Sequence, residues 1–107
     1  MNTNFLHDIN NLDKNVIVQD FKIVNNHSYL ISTIFLKFNN APVDEMPCYY
    51  ETKIFSVGRE VIYYNDPMLT MGHSSKEDAE EFHQLVLRSL DNGDLKMISG
   101  YFEFISE

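Results

Sequence analysis

The stretch SYLISTIFLKF, residues 28–38, points to the expected fold because apolar side chains fall on both faces of the strand it predicts. Side chains alternate along a strand, which places Leu30 and Ile34 on one face and Ile31 and Phe35 on the other. Apolar groups on both faces are typical of a strand buried at the centre of a sheet. We therefore expect other strands to pair on either side of it.

The neighbouring segments supply those strands. Residues 16–24, VIVQDFKIV, are rich in β-branched residues, and Asn25 and Asn26 form a turn before the central strand. After a proline-punctuated loop, CYYETKIF (residues 48–55), the turn SVGR and EVIYY (residues 60–64) predict a β-hairpin.

The segment SSKEDAEEFHQLVLRSLDNG, residues 74–93, predicts one firm helix. The capping pattern S-x-x-E begins at Ser74, a near equivalent begins at Ser75, and Gly93 supplies the stop. We expect the helix over about residues 75–91. Its buried stripe should consist of residues at helical spacing, namely Ala79, Phe82, His83, Val86 and Leu90.

The remaining segments complete a one-domain architecture over residues 1–107. Residues 65–73 are expected to be a loop, and residues 95–107 a final strand with Gly100 as a bulge. The order β-β-β-β-α-β predicts an α+β fold, in which one helix packs on one face of a mainly antiparallel sheet of about five strands. Residues 1–14 are compatible with a short helix or a flexible arm.

The balance of charge limits the partners. With 16 Asp and Glu residues against 8 Lys and Arg residues, the formal net charge is -8. Such a charge argues against direct contact with nucleic acid or anionic lipid and favours basic protein partners. Cys48 is the sole cysteine, and no apolar run is long enough to cross a bilayer, so we expect a protein of a reducing cytoplasm.

The sequence contains no recognised catalytic or cofactor motif. Glu80 and His83 form an E-x-x-H pair, but a metal site of that kind needs a second pair on a facing helix, so His83 is better explained as a hydrogen-bonded residue of the buried stripe. His73, His83 and Glu51 would suit acid–base chemistry if they met, although nothing in the sequence sets their distance. We expect no enzyme activity, no catalytic residue, no metal and no cofactor.

Glu51 lies in the middle of a strand between aromatic residues. Alternation places it on the same face as Lys53, whereas Thr52 and Ile54 take the side expected to face the core. The ordinary explanation is a charge pair between Glu51 and Lys53 on a partly exposed face. A hydrogen bond between Glu51 and His83 is the open alternative.

Acidic residues and two methionines form the expected partner-binding surface. The methionines could instead tuck under the helix as core, and the acids could be an ordinary solvated face. The full set is Asp44, Glu45, Glu60, Asp66, Met68, Met71, Glu77, Asp78, Glu80 and Glu81.

The chain resembles a diffuse family of small uncharacterised proteins encoded by phages and prophages. The likeness rests on ISTIFL (residues 31–36), on YYETKIF, matched over residues 50–55, and on the acidic helix SSKEDAEEFH (residues 74–83). The family usually has small residues before the histidine, where this chain has Glu81 and Phe82. The resemblance implies a phage accessory gene and carries no established chemistry.

These observations lead to one functional hypothesis and several alternatives. The hypothesis is a non-enzymatic inhibitor of a bacterial defence system, similar to an anti-CRISPR protein, which acts in the host cytoplasm on a host defence protein. It would occupy either the basic groove of a nucleic-acid-binding effector, as a DNA mimic, or a protein interface. One alternative is a protein that sequesters a small nucleotide signal by stacking a base on Tyr49, Tyr63, Tyr64 or Tyr101. Others are a phage protein without a defence role and, with least support, a hydrolase using His83 and a carboxylate. Pairing of two copies is a further expectation left open.

Overall fold

An antiparallel five-stranded sheet carries one long helix on one face in the computed structural model, which describes residues 16–36 and 49–105. This arrangement confirms the expected α+β class. The predicted helix or arm at residues 1–14, the loop at residues 39–47 and Cys48 lie outside the described residues. The elements follow in this order: β1 (Val16–Val24), β2 (His27–Phe35), β3 (Tyr50–Gly58), β4 (Val61–Ile62), β5 (Leu69–His73), α1 (Lys76–Asn92), β6 (Leu95–Ile98) and β7 (Tyr101–Phe104).

The central strand is β2, which pairs with β1 on one edge and β3 on the other. The turn between β1 and β2 places Asn25 and Asn26 at φ angles of 53° and 69°, the left-handed region that tight hairpins need and that Asn tolerates. The other edge of β3 is shared, since β5 pairs with its first half and β4 with its last two residues.

The expectation of a loop at residues 65–73 is wrong for its second half, because Leu69–His73 form β5. This segment contains Gly72 and has little strand propensity of its own. It becomes a strand because β3 offers an unpaired edge, which Met68 enters by donating its N–H to the Ile54 carbonyl at 2.7 Å. The fifth strand of the sheet is therefore β5 and not the C-terminal segment.

The expectation of one final strand with a bulge at Gly100 is also wrong. Ser99 and Gly100 have φ angles of 53° and 91°, and two consecutive left-handed residues reverse the chain. The result is a separate two-stranded sheet of β6 and β7. It is joined to the main sheet region by the Phe102 N–H, which donates to the Met68 carbonyl at 2.8 Å.

Helix α1 begins and ends at clear capping residues. Ser75 is the N-cap, and its Oγ accepts the Asp78 N–H at 3.1 Å, so the second of the two capping patterns is the one used. Gly93 takes a left-handed φ of 87° and donates its N–H to the Ser89 carbonyl. The predicted stripe is confirmed, with Phe82 half-buried and the other four residues buried.

Both faces of β2 are buried, as its sequence predicts. On the helix side, Tyr29 and Ile31 belong to a cluster in which the rings of Tyr29 and Phe102 meet edge to face at 5.0 Å. On the opposite side, Leu30 packs with Phe55 and Ile62. The sheet therefore lies between two apolar clusters, and the larger one joins it to α1 and the final hairpin.

We predict that Ser75→Ala destabilises the protein by about 1 kcal/mol, because the Asp78 N–H loses its capping acceptor. Ser74→Ala is the matched control and should change the free energy of unfolding by less than about 0.5 kcal/mol. Urea denaturation of the two variants measures the difference. A larger loss for Ser74→Ala would mean that the helix begins one residue earlier.

Candidate functional site

A row of five polar side chains crosses the sheet beneath α1. His83 Nε2 lies 2.8 Å from Asp20 Oδ2, and His83 Nδ1 lies 2.8 Å from Thr33 Oγ1. The Thr33 and Thr52 hydroxyl oxygens are 2.6 Å apart, and Thr52 Oγ1 is 3.1 Å from His73 Nε2. The row, here called the polar row, thus connects β1, β2, β3, β5 and α1.

Strand register brings the polar row together. Thr33 and Thr52 are directly opposite in the pairing of β2 with β3, and both point towards α1. Asp20 pairs with Ile31, two residues from Thr33, so the two are diagonal neighbours on one face. His73 has the same diagonal relation to Thr52, because its own partner on β3 is Tyr50.

The hydrogen bonds of the polar row have one consistent direction when both imidazoles are neutral. A carboxylate can only accept, so the His83 Nε2–H donates to Asp20, and His83 Nδ1 is left as an acceptor. The Thr33 hydroxyl must then donate to His83, and the Thr52 hydroxyl must donate to Thr33. Thr52 has no second proton, so the His73 Nε2–H donates to Thr52. Every donor in the row has an acceptor.

An aspartate, a histidine and a threonine in hydrogen-bond contact resemble a catalytic triad, but the threonine and the histidine are buried. Thr33 and His83 expose no surface, so the threonine hydroxyl has no route to a substrate in this conformation. Asp20 keeps 42% of its side chain exposed. The three residues attach α1 to β2 by a buried hydrogen bond and to β1 by a partly buried one. Buried hydrogen bonds are costly to leave unmade.

Glu51 takes no part in the polar row. Both ring nitrogens of His83 are occupied by Asp20 and Thr33, so the alternative of a bond between Glu51 and His83 is wrong. Glu51 lies on the opposite face of the sheet, with its Oε1 at 3.4 Å from the Lys53 Nζ, as the simpler explanation predicts. A pair of partly exposed charges like this one contributes little stability.

An acidic cleft lies next to the polar row, between α1 and β5. It is open to solvent and has a volume of about 930 Å³. Four of the predicted binding residues form its charged rim: Glu77, Asp78, Glu80 and Glu81. Its apolar part consists of Met71, Phe82 and Leu85, of which Met71 is 42% and Leu85 39% exposed.

The other predicted binding residues lie elsewhere. Glu60 lies two residues beyond Gly58, the last residue of β3, whereas Met71 of the acidic cleft pairs with Thr52 near the start of that strand. About 20 Å of strand, at about 3.3 Å per residue, therefore separates Glu60 from the acidic cleft. Asp66 lies in the connection between β4 and β5, and Met68 packs against the helix-side core. Asp44 and Glu45 lie outside the described residues. Of the ten, the structure brings five to one place, Met71 and the four rim acids.

His73 belongs to both features. It is 9% exposed, lines the acidic cleft, and packs against the Phe82 ring at a centroid distance of 5.0 Å. Burial lowers the pKa of His73 below its ordinary value of 6.5, and the carboxylate of Asp78 partly opposes this shift. The neutral form of His73 is therefore the favoured one near neutral pH, and its Nε2–H donates to Thr52.

Sequence reasoning singled out His73 and His83 but missed the three residues that join them. Thr33 and Thr52 each stand between apolar residues on one face of a predicted strand, Ile31 and Phe35 around Thr33 and Tyr50 and Ile54 around Thr52. Asp20 is the one acidic residue of the first predicted strand. The alternation of β3 had placed Thr52 on the core side together with Ile54, and a polar residue on a core face needs a partner. That pattern is the available signal, although it does not identify the partner.

The tyrosines proposed for base stacking do not converge. Tyr49 precedes β3, Tyr63 and Tyr64 follow β4 beyond the other end of that strand, and Tyr101 begins β7. Tyr64 packs edge to face on Phe55 in the cluster on the side away from α1. The acidic cleft contains none of the four.

No known protein family, curated protein or solved structure matches this chain. Within residues 16–36 and 49–105, no helix has the length and apolar character needed to span a membrane. In the same residues, no three His, Cys, Asp or Glu side chains are grouped so that they could hold a metal ion.

We predict that His73 makes stability depend on pH. A histidine whose pKa is lowered by folding stabilises the fold above its unfolded value, here 6.5, and that contribution is lost as the pH falls below it towards the lowered folded value. The free energy of unfolding of the wild type should therefore decrease more steeply below pH 6.5 than that of His73→Gln.

Chemical denaturation from about pH 8 to 5 measures this effect. The difference between the two proteins at pH 8, where both side chains are neutral, accounts for lost packing. If the difference in the free energy of unfolding between the wild type and His73→Gln stayed constant over this pH range, the prediction would be contradicted.

Proposed function

We propose that this protein is a non-enzymatic binding protein, which docks its acidic cleft onto a basic surface of another protein. The observation that carries the proposal is the composition of the cleft. Its rim has four carboxylates, and its interior exposes apolar area from Met71 and Leu85. Partly apolar clefts with a few charged groups are typical of binding sites, and a methionine side chain adapts to different partner shapes.

Charge defines the kind of partner. The net charge of -8 and the acidic rim repel phosphate backbones and anionic lipid, and they attract Lys and Arg side chains. Lys76 and Arg88 are the only Lys and Arg residues of α1, and Arg88 lines the acidic cleft together with the four rim acids, which outnumber it. The rim therefore presents negative charge to a partner, and complementary charge accelerates association and aligns the two surfaces.

The spacing of the rim charges supports mimicry of a nucleic acid. Residues 77–81 cover about 6 Å along the helix axis at 1.5 Å per residue and carry four carboxylates. Duplex DNA carries one charge per about 1.7 Å of axis, so the local density is similar. Together with the resemblance to phage-encoded proteins, this favours a bacterial defence protein with a basic nucleic-acid groove as the partner, in the manner of an anti-CRISPR inhibitor acting in the host cytoplasm.

We predict that removing the rim charges weakens partner binding about tenfold or more. The variant is Glu77→Gln, Asp78→Asn, Glu80→Gln and Glu81→Gln, which changes the formal net charge from -8 to -4. Each exposed charge pair contributes about 0.2–1 kcal/mol, and about 1.4 kcal/mol corresponds to a factor of ten. The measurement is stoichiometric capture from a bacterial lysate by the immobilised wild type and variant at several salt concentrations, followed by titration with the captured protein.

The control variant is Glu60→Gln, Asp66→Asn, Asp94→Asn and Glu103→Gln, which gives the same net charge but leaves the acidic cleft unchanged. We expect it to bind like the wild type. Equal weakening by both variants would mean that overall charge and not the cleft governs association. If the rim variant bound with unchanged affinity at every salt concentration, the acids would be an ordinary solvated helix face.

A further inference from the structure

We propose that the polar row is a proton relay, which carries a proton from the acidic cleft, at His73, to His83 on the other side of the two threonines. The inference goes beyond the proposed function and does not require that a partner binds the cleft. It rests on four contacts of 2.6–3.1 Å that form one unbroken chain between two imidazoles and a carboxylate.

In the starting state both imidazoles are neutral. Each hydrogen bond of the polar row is then donated in the direction that leads from His73 to Asp20. The Nε2–H of His73 is engaged by Thr52, so its other ring nitrogen, Nδ1, is the one available to the cleft that His73 lines. Among the described residues, no group forms a hydrogen bond with this Nδ1. It is therefore the position at which a proton from solvent can enter.

The transfer balances at every atom. A solvent proton bonds to His73 Nδ1, and the proton on His73 Nε2 moves to Thr52 Oγ1. The hydroxyl proton of Thr52 moves to Thr33 Oγ1, and that of Thr33 moves to His83 Nδ1. Each threonine gains one proton and loses one. The net result is one added proton, a His83 imidazolium and a neutral His73 that carries its hydrogen on Nδ1.

Charged neighbours explain why the proton should come to rest at His83. The carboxylate facing His83 is Asp20, at 2.8 Å, and it forms an ion pair with the imidazolium. On β5, His73 is paired with Tyr50 of β3, and it lines the cleft together with Asp78 and its neighbour Glu77. Burial lowers the pKa of His73 despite Asp78. Among the described residues, His83 has a carboxylate in direct hydrogen-bond contact, Asp20, whereas His73 has none.

The other charged groups near α1 are occupied or distant. Lys22 on β1 forms an ion pair with Asp91 at 2.9 Å. Lys53 and Glu51 pair with each other on the far face of the sheet. Arg88, Glu80 and Glu81 lie on the exposed side of α1 around the cleft.

The relay would change the chemistry of the acidic cleft without placing a charge in it. Before proton uptake, His73 presents a ring nitrogen that accepts a hydrogen bond; after transfer, the same nitrogen is a donor. The three hydrogen bonds between His73 and His83 reverse direction while every heavy atom keeps its position. A ligand that donates a hydrogen bond to His73 would be favoured at a pH above that of proton uptake. A ligand that accepts a hydrogen bond from His73 would be favoured at a pH below it.

The test is ¹⁵N NMR of the histidine rings of the full chain from about pH 8 to 5. At high pH, we expect His73 and His83 to carry hydrogen on Nε2. As the pH falls, His83 should become an imidazolium, and His73 should shift its hydrogen to Nδ1 over the same pH interval. A His73 that carries hydrogen on Nδ1 at high pH, or that becomes charged before His83, would overturn the relay.

Thr33→Val interrupts the chain at its middle with nearly unchanged side-chain volume. In this variant, the tautomer change of His73 should no longer accompany protonation of His83. Ser32→Ala removes a buried hydroxyl of the same strand that lies outside the polar row, and Thr33→Ser keeps the relaying hydroxyl; both should behave as the wild type. If the tautomer change of His73 still accompanied protonation of His83 in Thr33→Val, the relay would be contradicted. If that variant does not fold, the tautomers of His73 and His83 in the wild type are the test.

Discussion

The hydrogen bonds of His83 are the constraint on which the rest of the structure depends. This imidazole is fully buried at the middle of α1, where a polar group without partners would cost about 1–3 kcal/mol. Its two nitrogens require an acceptor on one side and a hydroxyl on the other, and Asp20 and Thr33 supply them. The helix can satisfy both only in one position over β1 and β2, so these bonds define how α1 lies on the sheet.

The same constraint extends to the strand register. A shift of β3 by one residue against β2 would turn Thr52 to the opposite face and leave Thr33 without its second partner. The apolar cluster would tolerate several packing arrangements, because dispersion and burial are not directional. The hydrogen bonds are directional, and they favour one of those arrangements. We infer that the polar row contributes specificity of the fold as well as stability.

The acidic cleft follows from this arrangement. The four rim acids Glu77, Asp78, Glu80 and Glu81 are exposed because the opposite side of α1 carries the buried stripe, which includes His83. The cleft has its second wall only because Leu69–His73 form a strand along β3 beside the first turns of the helix. The proposed binding surface and the proposed relay therefore meet at His73, the residue that ends β5 and lies between them.

Local pattern in the sequence was sufficient for β1, β2, the start of β3, the helix with its caps, and the α+β class. These features depend on alternation, helical spacing, turn residues and capping side chains, all of which act within a few residues of the chain. The same alternation also placed Thr52 on the core face and paired Glu51 with Lys53. What the sequence did not determine was anything that needs a distant partner.

Only the tertiary structure decided that Leu69–His73 form a strand, because the edge of β3 provides the pairing that their own propensity does not. Only the tertiary structure joined the five residues of the polar row. One of its hydrogen bonds, between Asp20 and His83, connects residues that lie 63 positions apart in the chain. The tertiary structure also separated Glu60 from the helix acids, with which its charge had grouped it. Charge and polarity are readable in a sequence, but distance between side chains is set by strand register and helix packing, and a hydrogen bond of 2.8 Å depends on both.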